Sequence, residues 1–175
     1  YGLKDGACNY FNPGNQRPGE GAPARKGSPG KKTVRAWRID DAKYDPYTPE
    51  AKDFYTTDYF TNYAVNWLDE YQNENKPFFL YLAYNAPHDP LMAWPEDIAK
   101  YKGKYDEGYE KTRLARYKKQ LEMGLIDDTY KLSDATHKNW EELDDTIRAE
   151  EIRKMKVYAA MIDRMDQNIG RVLAK

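Results

Sequence analysis

The sequence has little of several features that characterise common classes of protein. It contains one cysteine, Cys8, which excludes an intrachain disulfide framework and leaves the redox compartment undecided. No apolar stretch approaches membrane-spanning length, and no signal-peptide pattern is present at Tyr1. Charge of one sign is also lacking, because 28 basic residues balance 29 acidic ones and leave a net charge of −1. The composition therefore gives no electrostatic reason to expect a nucleic acid or a membrane surface as partner.

Patterns for phosphate and metal binding are scarce as well. The sequence has no Gly-rich phosphate loop, no paired Cys motif and no His-x-x-x-His pattern. Adjacent carboxylates occur at 40–41, 127–128 and 144–145. Neighbouring side chains on a strand or helix point in different directions, so we interpret all three pairs as surface charge. The sequence thus assigns no metal ligand and no cofactor-binding residue in this segment.

What the sequence does contain is an apolar run followed at once by a histidine. Residues 76–91 read KPFFLYLAYNAPHDPL. The run from Pro77 to Tyr84 has strand length and is bounded by proline-containing turns, which predicts a strand buried on both faces. Ligands of open α/β sheets bind beyond the carboxyl ends of the strands, so His88 lies where a site is expected. A lone histidine is more often a satisfied loop or core residue, and position alone does not assign it a role.

Three stretches of the chain together carry a family resemblance. In order and spacing they resemble the type I sulfatases, the formylglycine-dependent arylsulfatases of the alkaline-phosphatase-like superfamily. They read KPFFLYLAYNAPHDPL at 76–91, KYKGKYDEGY at 100–109 and VYAAMIDRMDQNIGR at 157–171. The similarity runs from about Thr48 to Lys175 and is weaker before that.

The resemblance implies a fold, a reaction and a role for one residue. The fold would be part of an alkaline-phosphatase-like doubly wound α/β sheet with helices packed on it, truncated at both ends. The reaction would be hydrolysis of aryl or sugar sulfate esters through a formylglycine nucleophile and calcium, in a periplasmic or secreted enzyme. His88 matches the family histidine that contacts the sulfate group or the bridging oxygen of the substrate.

Other family motifs are absent from the chain. Cys8 is followed by Asn9-Tyr10-Phe11, whereas the family nucleophile lies in Cys-x-Pro-x-Arg or Ser-x-Pro-x-Arg. The early paired aspartates, the Gly-Lys-x-His segment and the Asp-Asn-Gly segment are missing too. We therefore expect an internal segment of a longer enzyme, with the nucleophile and the calcium ligands elsewhere in the parent. The segment alone is expected to be inactive.

Two alternative functions stay open at this point. A phosphate or phosphonate ester hydrolase of the same superfamily would share the sheet and the metal site. A module that binds sulfated glycans without turnover would explain the many aromatic residues, among them 16 tyrosines and 4 tryptophans. The upstream nucleophile motif of the parent gene would distinguish these possibilities.

The periodicity of the chain predicts the elements of a single catalytic-domain segment. A helix over Asp58–Gln72 and the strand that follows form a helix-strand unit at 57–84, and 92–145 is predicted to be a helical insertion. His137, in a polar stretch of that insertion, is predicted to face solvent. The remaining predictions are an irregular loop at 12–32, a short strand at 34–39, a short helix from Trp94, a helix at 109–123 ended by Gly124, a helical turn at 140–145 and a long helix at 147–175.

Overall fold

The computed structural model of the protein describes residues 1–3, 6–17 and 35–175. Most of the loop predicted at 12–32 lies outside these residues, as does the first residue of the strand predicted from Val34. The described elements are short strands and longer helices: β1 Gly2–Leu3, β2 Trp37–Ile39, β3 Ala42–Tyr44, α1 Thr56–Tyr71, α2 Pro95–Ala99, α3 Gly108–Glu122, a 3₁₀ turn Trp140–Glu142 and α4 Asp145–Leu173.

The three strands form a small antiparallel sheet in the order β1-β2-β3. Its central residue is Trp37, which is fully buried and pairs with Leu3 on one side and Tyr44 on the other. Asp40 turns the chain between β2 and β3 at a φ of 50°, a conformation that a short polar side chain tolerates. Its carboxylate accepts a hydrogen bond from the Tyr63 hydroxyl at 3.0 Å, which fastens the hairpin to α1.

The apolar run at 77–84 differs from its prediction. No described residue pairs with it in a sheet, and Phe79 and Tyr81 are 90% and 80% exposed. Exposure alternates only from Phe79 to Tyr84, and within the run Leu82 and Tyr84 pack against the Trp37 cluster. This corrects the expectation of a strand buried on both faces, because a strand needs backbone partners at its edges and the described residues supply none.

Helices α1 and α4 pack against each other, and α2 packs on α4. Helix α1 begins two residues before the predicted Asp58, because extended Tyr55 takes the N-cap position. Helix α4 begins after Asp144, whose side chain accepts a hydrogen bond from the Ile147 amide at 2.9 Å. At 29 residues α4 is about 44 Å long. None of the helices in the described ranges has the length and apolar character needed to cross a bilayer.

The buried face of α4 combines apolar and polar residues. Residues Val157, Ala160 and Met161 join Tyr10 and Tyr55 in one core cluster. Towards the end of the helix, Ile169 and Leu173 are exposed whereas Asn168 is buried. The reason is that α1 and α2 contact α4 partly through ion pairs and amides, so part of the buried face is polar.

Helices α2 and α3 and the 3₁₀ turn lie within the predicted helical insertion at 92–145. Helix α3 spans nearly the predicted residues, and Gly124 follows its end at a φ of 67°, as expected for a C-cap glycine. Gly108 opens the helix at a φ of 85° and lies directly against the Trp140 ring, which couples α3 to the 3₁₀ turn.

Candidate functional site

His88 lies in a tight turn between the apolar run and α2. The peptide bonds before Pro87 and Pro90 are both cis, and the His88 amide donates a hydrogen bond to the Asn85 carbonyl at 2.9 Å. The side chain is exposed, as a group that meets a substrate must be. The structure therefore places the one predicted site residue on the protein surface in a defined turn.

The imidazole of His88 has one nitrogen engaged and one available. Nδ1 lies 2.6 Å from the Asp89 carbonyl oxygen. Because a carbonyl oxygen only accepts, Nδ1 carries the hydrogen in this arrangement. Nε2 has no hydrogen-bond partner among the described residues, and it donates a hydrogen bond only when the imidazole is protonated. The ring can thus offer a cationic donor to an anionic group.

Residues of the N-terminal segment donate hydrogen bonds to this turn. The buried Tyr10 hydroxyl has one hydrogen to donate, which two carbonyl oxygens share, that of Asn85 at 3.0 Å and that of His88 at 2.8 Å. Arg17 Nη1 donates to the Asp89 carbonyl at 3.3 Å. The side-chain amide of Asn85 donates a hydrogen bond to the Sγ atom of Cys8 at 3.6 Å. Residues 8–17 therefore contact the turn at several of its backbone carbonyls.

An aromatic platform holds the chain that leaves the turn. The Tyr55 hydroxyl donates to the Met92 carbonyl at 2.8 Å, and its ring packs against Phe11 and Trp94. Burial raises the pKa of the Tyr10 hydroxyl and of the Tyr55 hydroxyl far above the usual value. Both groups consequently remain hydrogen-bond donors throughout the neutral pH range.

A network of charged side chains fixes α2 to the two long helices. Arg164 of α4 donates from two nitrogens to the Asp58 carboxylate, at 2.8 and 2.9 Å, and also lies 3.5 Å from Asp97 of α2. Lys100 contacts Asp97 at 2.8 Å and Asp163 at 2.7 Å. Hydrogen bonds from Arg164 to Asp58 raise the pKa of the guanidinium, since they favour its charged form.

Sequence reasoning did not identify this network. Its members come from helices more than sixty residues apart in the chain, as in the pairs of Arg164 with Asp58 and with Asp97. The adjacent Asp163 and Arg164 do lie within the 157–171 motif, and that motif was the available signal. The network places α2, and with it the chain just after the His88 turn, in a fixed relation to α1 and α4.

Two surface cavities lie near these elements. One, of about 410 Å³, is bounded by the inner side of residues 80–85, by Tyr1 and by the α1 side chains Phe60 and Trp67. The other, of about 530 Å³, is bounded by the charged network, including Asp58, Arg164 and Arg171. His88 lines neither cavity.

The described residues do not form a site for the metal or the nucleophile that the family resemblance implies. In the ranges 1–3, 6–17 and 35–175, no three His, Cys, Asp or Glu side chains are close enough to hold a metal ion. Cys8 is buried, and burial raises the pKa of its thiol to about 12, which keeps it protonated at neutral pH. The described residues therefore do not fit a calcium site, and Cys8 does not fit the position of a formylglycine nucleophile.

The three acidic pairs and His137 have structural contacts. Asp127 accepts hydrogen bonds from the Thr129 amide and hydroxyl in a local turn. His137 is half-buried, not fully solvent-facing as predicted, because its ring packs 5.0 Å from the Tyr109 ring. Its Nε2 lies 3.4 Å from a Glu110 carboxylate oxygen. These contacts join the 3₁₀ region to α3 and do not involve His88.

Comparison with known proteins agrees with this arrangement of motifs. A family profile described as Sulfatase matches residues 12–175. The chain therefore belongs to the sulfatase family, which confirms both the resemblance and the expected fold class, a segment of an α/β domain.

Individual relatives show how much of a sulfatase the chain represents. It is 38% identical over 136 residues to an uncharacterized sulfatase of Schizosaccharomyces pombe, covering 74% of this chain and 24% of that protein. It is 36% identical over 122 residues to an arylsulfatase of Klebsiella aerogenes, covering 69% of this chain and 26% of that protein. The chain spans about a quarter of the length of these relatives.

A solved structure also aligns with most of the chain. It is described as Ps i-CgsB in complex with k-i-k-neocarrahexaose, and the alignment covers 95% of this chain and 26% of that one. The TM-score is 0.47 and the sequence identity 24%.

Proposed function

We propose that the protein containing this chain hydrolyses sulfate esters and that His88 contacts the sulfate group or the bridging oxygen of the substrate. The observation that carries the proposal is the exposed His88 ring, with Nε2 available, on a turn inside a segment of a sulfatase-family domain. In this proposal the segment belongs to a single catalytic domain, in which residues 57–84 form a helix-strand unit once other parts of the parent pair with the run at 77–84, and 92–145 forms an insertion. The substrate would be an aryl or sugar sulfate, and the parent a secreted or periplasmic enzyme.

The chemistry of the reaction explains why a protonated imidazole is useful. Water and the ester give an alcohol and a sulfate ion, and the S–O bond that breaks leaves negative charge on the departing oxygen. A donor directed at that oxygen, or at the oxygens of the sulfate group, stabilises the charge as it develops. One preorganised donor of this kind is worth about 2.7–4 kcal/mol of transition-state stabilisation.

The rest of the catalytic machinery belongs to other parts of the parent. The formylglycine nucleophile and the calcium that the family resemblance implies would come from outside the described residues. By itself the segment has a single candidate donor, and a donor cannot replace a covalent route. We therefore expect the 175-residue chain alone to be inactive.

A substrate comparison tests the proposal. The purified full-length parent is assayed with an aryl sulfate and with the phosphate ester of the same phenol. We expect turnover of the sulfate to exceed that of the phosphate, and the His88→Ala variant to lose most of the sulfate turnover. A parent that prefers the phosphate, or that turns over neither ester, would contradict the proposal and favour one of the two alternative functions.

A further inference from the structure

We infer that Tyr10 is a positioning residue for His88, acting through the backbone of the turn. The inference rests on the proposed function, since it assigns a second residue to the same site. Tyr10 lies outside the family motifs at 76–91, 100–109 and 157–171, and it precedes His88 by 78 positions in the sequence. Its role follows from the contacts of its hydroxyl group alone.

The Tyr10 hydroxyl contacts the two carbonyls that close the His88 turn. It lies 3.0 Å from the Asn85 oxygen and 2.8 Å from the His88 oxygen. The Asn85 carbonyl also accepts the hydrogen bond from the His88 amide, so one residue clamps both ends of the turn. A change at Tyr10 therefore moves the backbone that carries the imidazole, while the ring itself stays free for substrate.

The surroundings of Tyr10 make this clamp rigid. The residue is fully buried in the core cluster with Tyr55, Val157 and Met161. Its ring stacks on that of Tyr55 at 5.6 Å. A packed side chain has few alternative rotamers, so the Tyr10 hydroxyl stays in one place and holds the turn at a fixed position relative to the core. Without the hydroxyl, two buried or half-buried carbonyls of the turn would lose a partner.

The same turn also fixes the state of the His88 ring. Nδ1 is held by the carbonyl of the next residue, Asp89, which in turn accepts from Arg17. A shift of the turn would therefore move the imidazole and would also break the hydrogen bond between its Nδ1 and the Asp89 carbonyl. Misplacement of a catalytic group by about 1 Å can cost about 10²-fold in rate.

Tyr55 provides a matched control for Tyr10. Both side chains are fully buried, both belong to the same core cluster, and both donate to a backbone carbonyl. The Tyr55 acceptor is Met92, which lies beyond the turn. The variants Tyr10→Phe and Tyr55→Phe thus remove equivalent groups, and only the first removes a contact to His88.

The experiment compares these variants in the full-length parent, alone and combined with His88→Ala. We expect Tyr10→Phe to lower kcat for a sulfate ester by about 10–100-fold with little change in KM, and Tyr55→Phe to lower it by less than about 3-fold, at similar losses of Tm. In the His88→Ala background, Tyr10→Phe should have almost no further effect, since the ring it positions is gone. The rate at which diethylpyrocarbonate modifies His88, read by peptide mass spectrometry, should change in Tyr10→Phe only.

Each outcome bears on a separate claim. Equal effects of Tyr10→Phe and Tyr55→Phe, or additive effects of Tyr10→Phe and His88→Ala, would overturn the positioning role and leave the proposed function intact. A silent His88→Ala variant would overturn the role of His88 itself. Should Tyr10→Phe fail to fold, Thr56→Val tests the same turn, because it removes the hydroxyl that contacts the Asn85 side chain at 3.4 Å. A severalfold loss of kcat is expected there, and no loss would count against the clamp.

Discussion

At the scale of single residues, Lys100 shows how the charged network responds to acid. Its Nζ lies between the carboxylates of Asp97 and Asp163, and the hydrogen bond from Lys100 holds the pKa of Asp163 below its usual value. A carboxyl group with a lowered pKa binds protons less readily in the folded state than in the unfolded state. Its contribution to stability is present above the unfolded pKa and is lost as the pH falls through the folded pKa.

Replacing Lys100 tests that contribution. We expect Lys100→Met to unfold at lower urea concentration than the wild type at pH 7, and the difference between the two to shrink as the pH falls from about 4, the pKa of an unperturbed Asp, towards the lowered pKa of folded Asp163. Lys119→Met is the control, because Lys119 pairs with Glu122 at 3.9 Å on the exposed face of α3. Identical pH profiles for Lys100→Met and Lys119→Met would show that the network does not depend on Asp163.

Residue-level contacts were also the hardest feature to predict from the sequence. His88 stood out because it lies shortly after an apolar run and matches the family histidine of the 76–91 motif. The contact of Tyr10 with His88 spans 78 positions, and that of Arg164 with Asp58 spans 106. Such pairs depend on how the helices pack, and no periodicity of a single element encodes that packing. Sequence reasoning therefore found the candidate site residue and missed its supports.

At the scale of elements, two glycines at the ends of α3 have left-handed backbones with different surroundings. Gly108 has a φ of 85°, and a Cβ built there would lie 2.3 Å from a Trp140 ring atom. Gly124 has a φ of 67°, and a Cβ built there would meet nothing within 4 Å. The first position combines a conformational cost with a steric one, and the second has the conformational cost alone.

Alanine substitutions separate the two costs. We expect Gly124→Ala to lower the free energy of unfolding by about 1–2 kcal/mol, the usual cost of a left-handed conformation for an L-residue. Gly108→Ala should cost more, because the indole ring or the helix start must also move. Urea denaturation of both variants measures the difference. Equal losses would mean that Trp140 does not pack on Gly108 as the structure has it.

The helices were predicted well because their signals are local. Pro95 at the first turn of α2, Gly124 after α3 and the apolar spacing of α1 each act within one element. The run at 77–84 was predicted as a strand from the same kind of local signal, but pairing is a property of two strands. The exposure of the side chains alternates over residues 79–84 as it would in a strand. The run has no strand partner among the described residues, so it forms no ladder of backbone hydrogen bonds with them.

At the scale of the whole molecule, the chain exposes a row of large apolar side chains. Phe78, Phe79 and Tyr81 are between 76% and 90% exposed in the unpaired run. A contiguous apolar surface next to unpaired backbone is what native sheets normally cover. The 175 residues by themselves should therefore associate through this surface.

Association of the isolated chain tests that expectation. We expect the 175-residue chain to bind a hydrophobic dye and to form oligomers on size-exclusion chromatography, because burial of these rings is favourable. A Phe78→Ser, Phe79→Ser double variant should reduce both signals. Serine substitutions at Tyr158 and Ile162, two half-exposed residues of α4, provide the control. A chain that is monomeric, binds little dye and melts in one sharp transition would contradict the expectation.

The most direct measurement of the central claim is kcat/KM of the full-length parent and its His88→Ala variant for a series of aryl sulfates with phenols of increasing pKa. We predict a loss of about 10²–10³-fold with an almost unchanged Tm, while His137→Ala is nearly silent. A loss that grows with the pKa of the phenol would assign the contact to the bridging oxygen, and a constant loss would assign it to the sulfate group. An activity that stays within a few-fold of the wild type, or that falls only together with Tm, would contradict the role of His88.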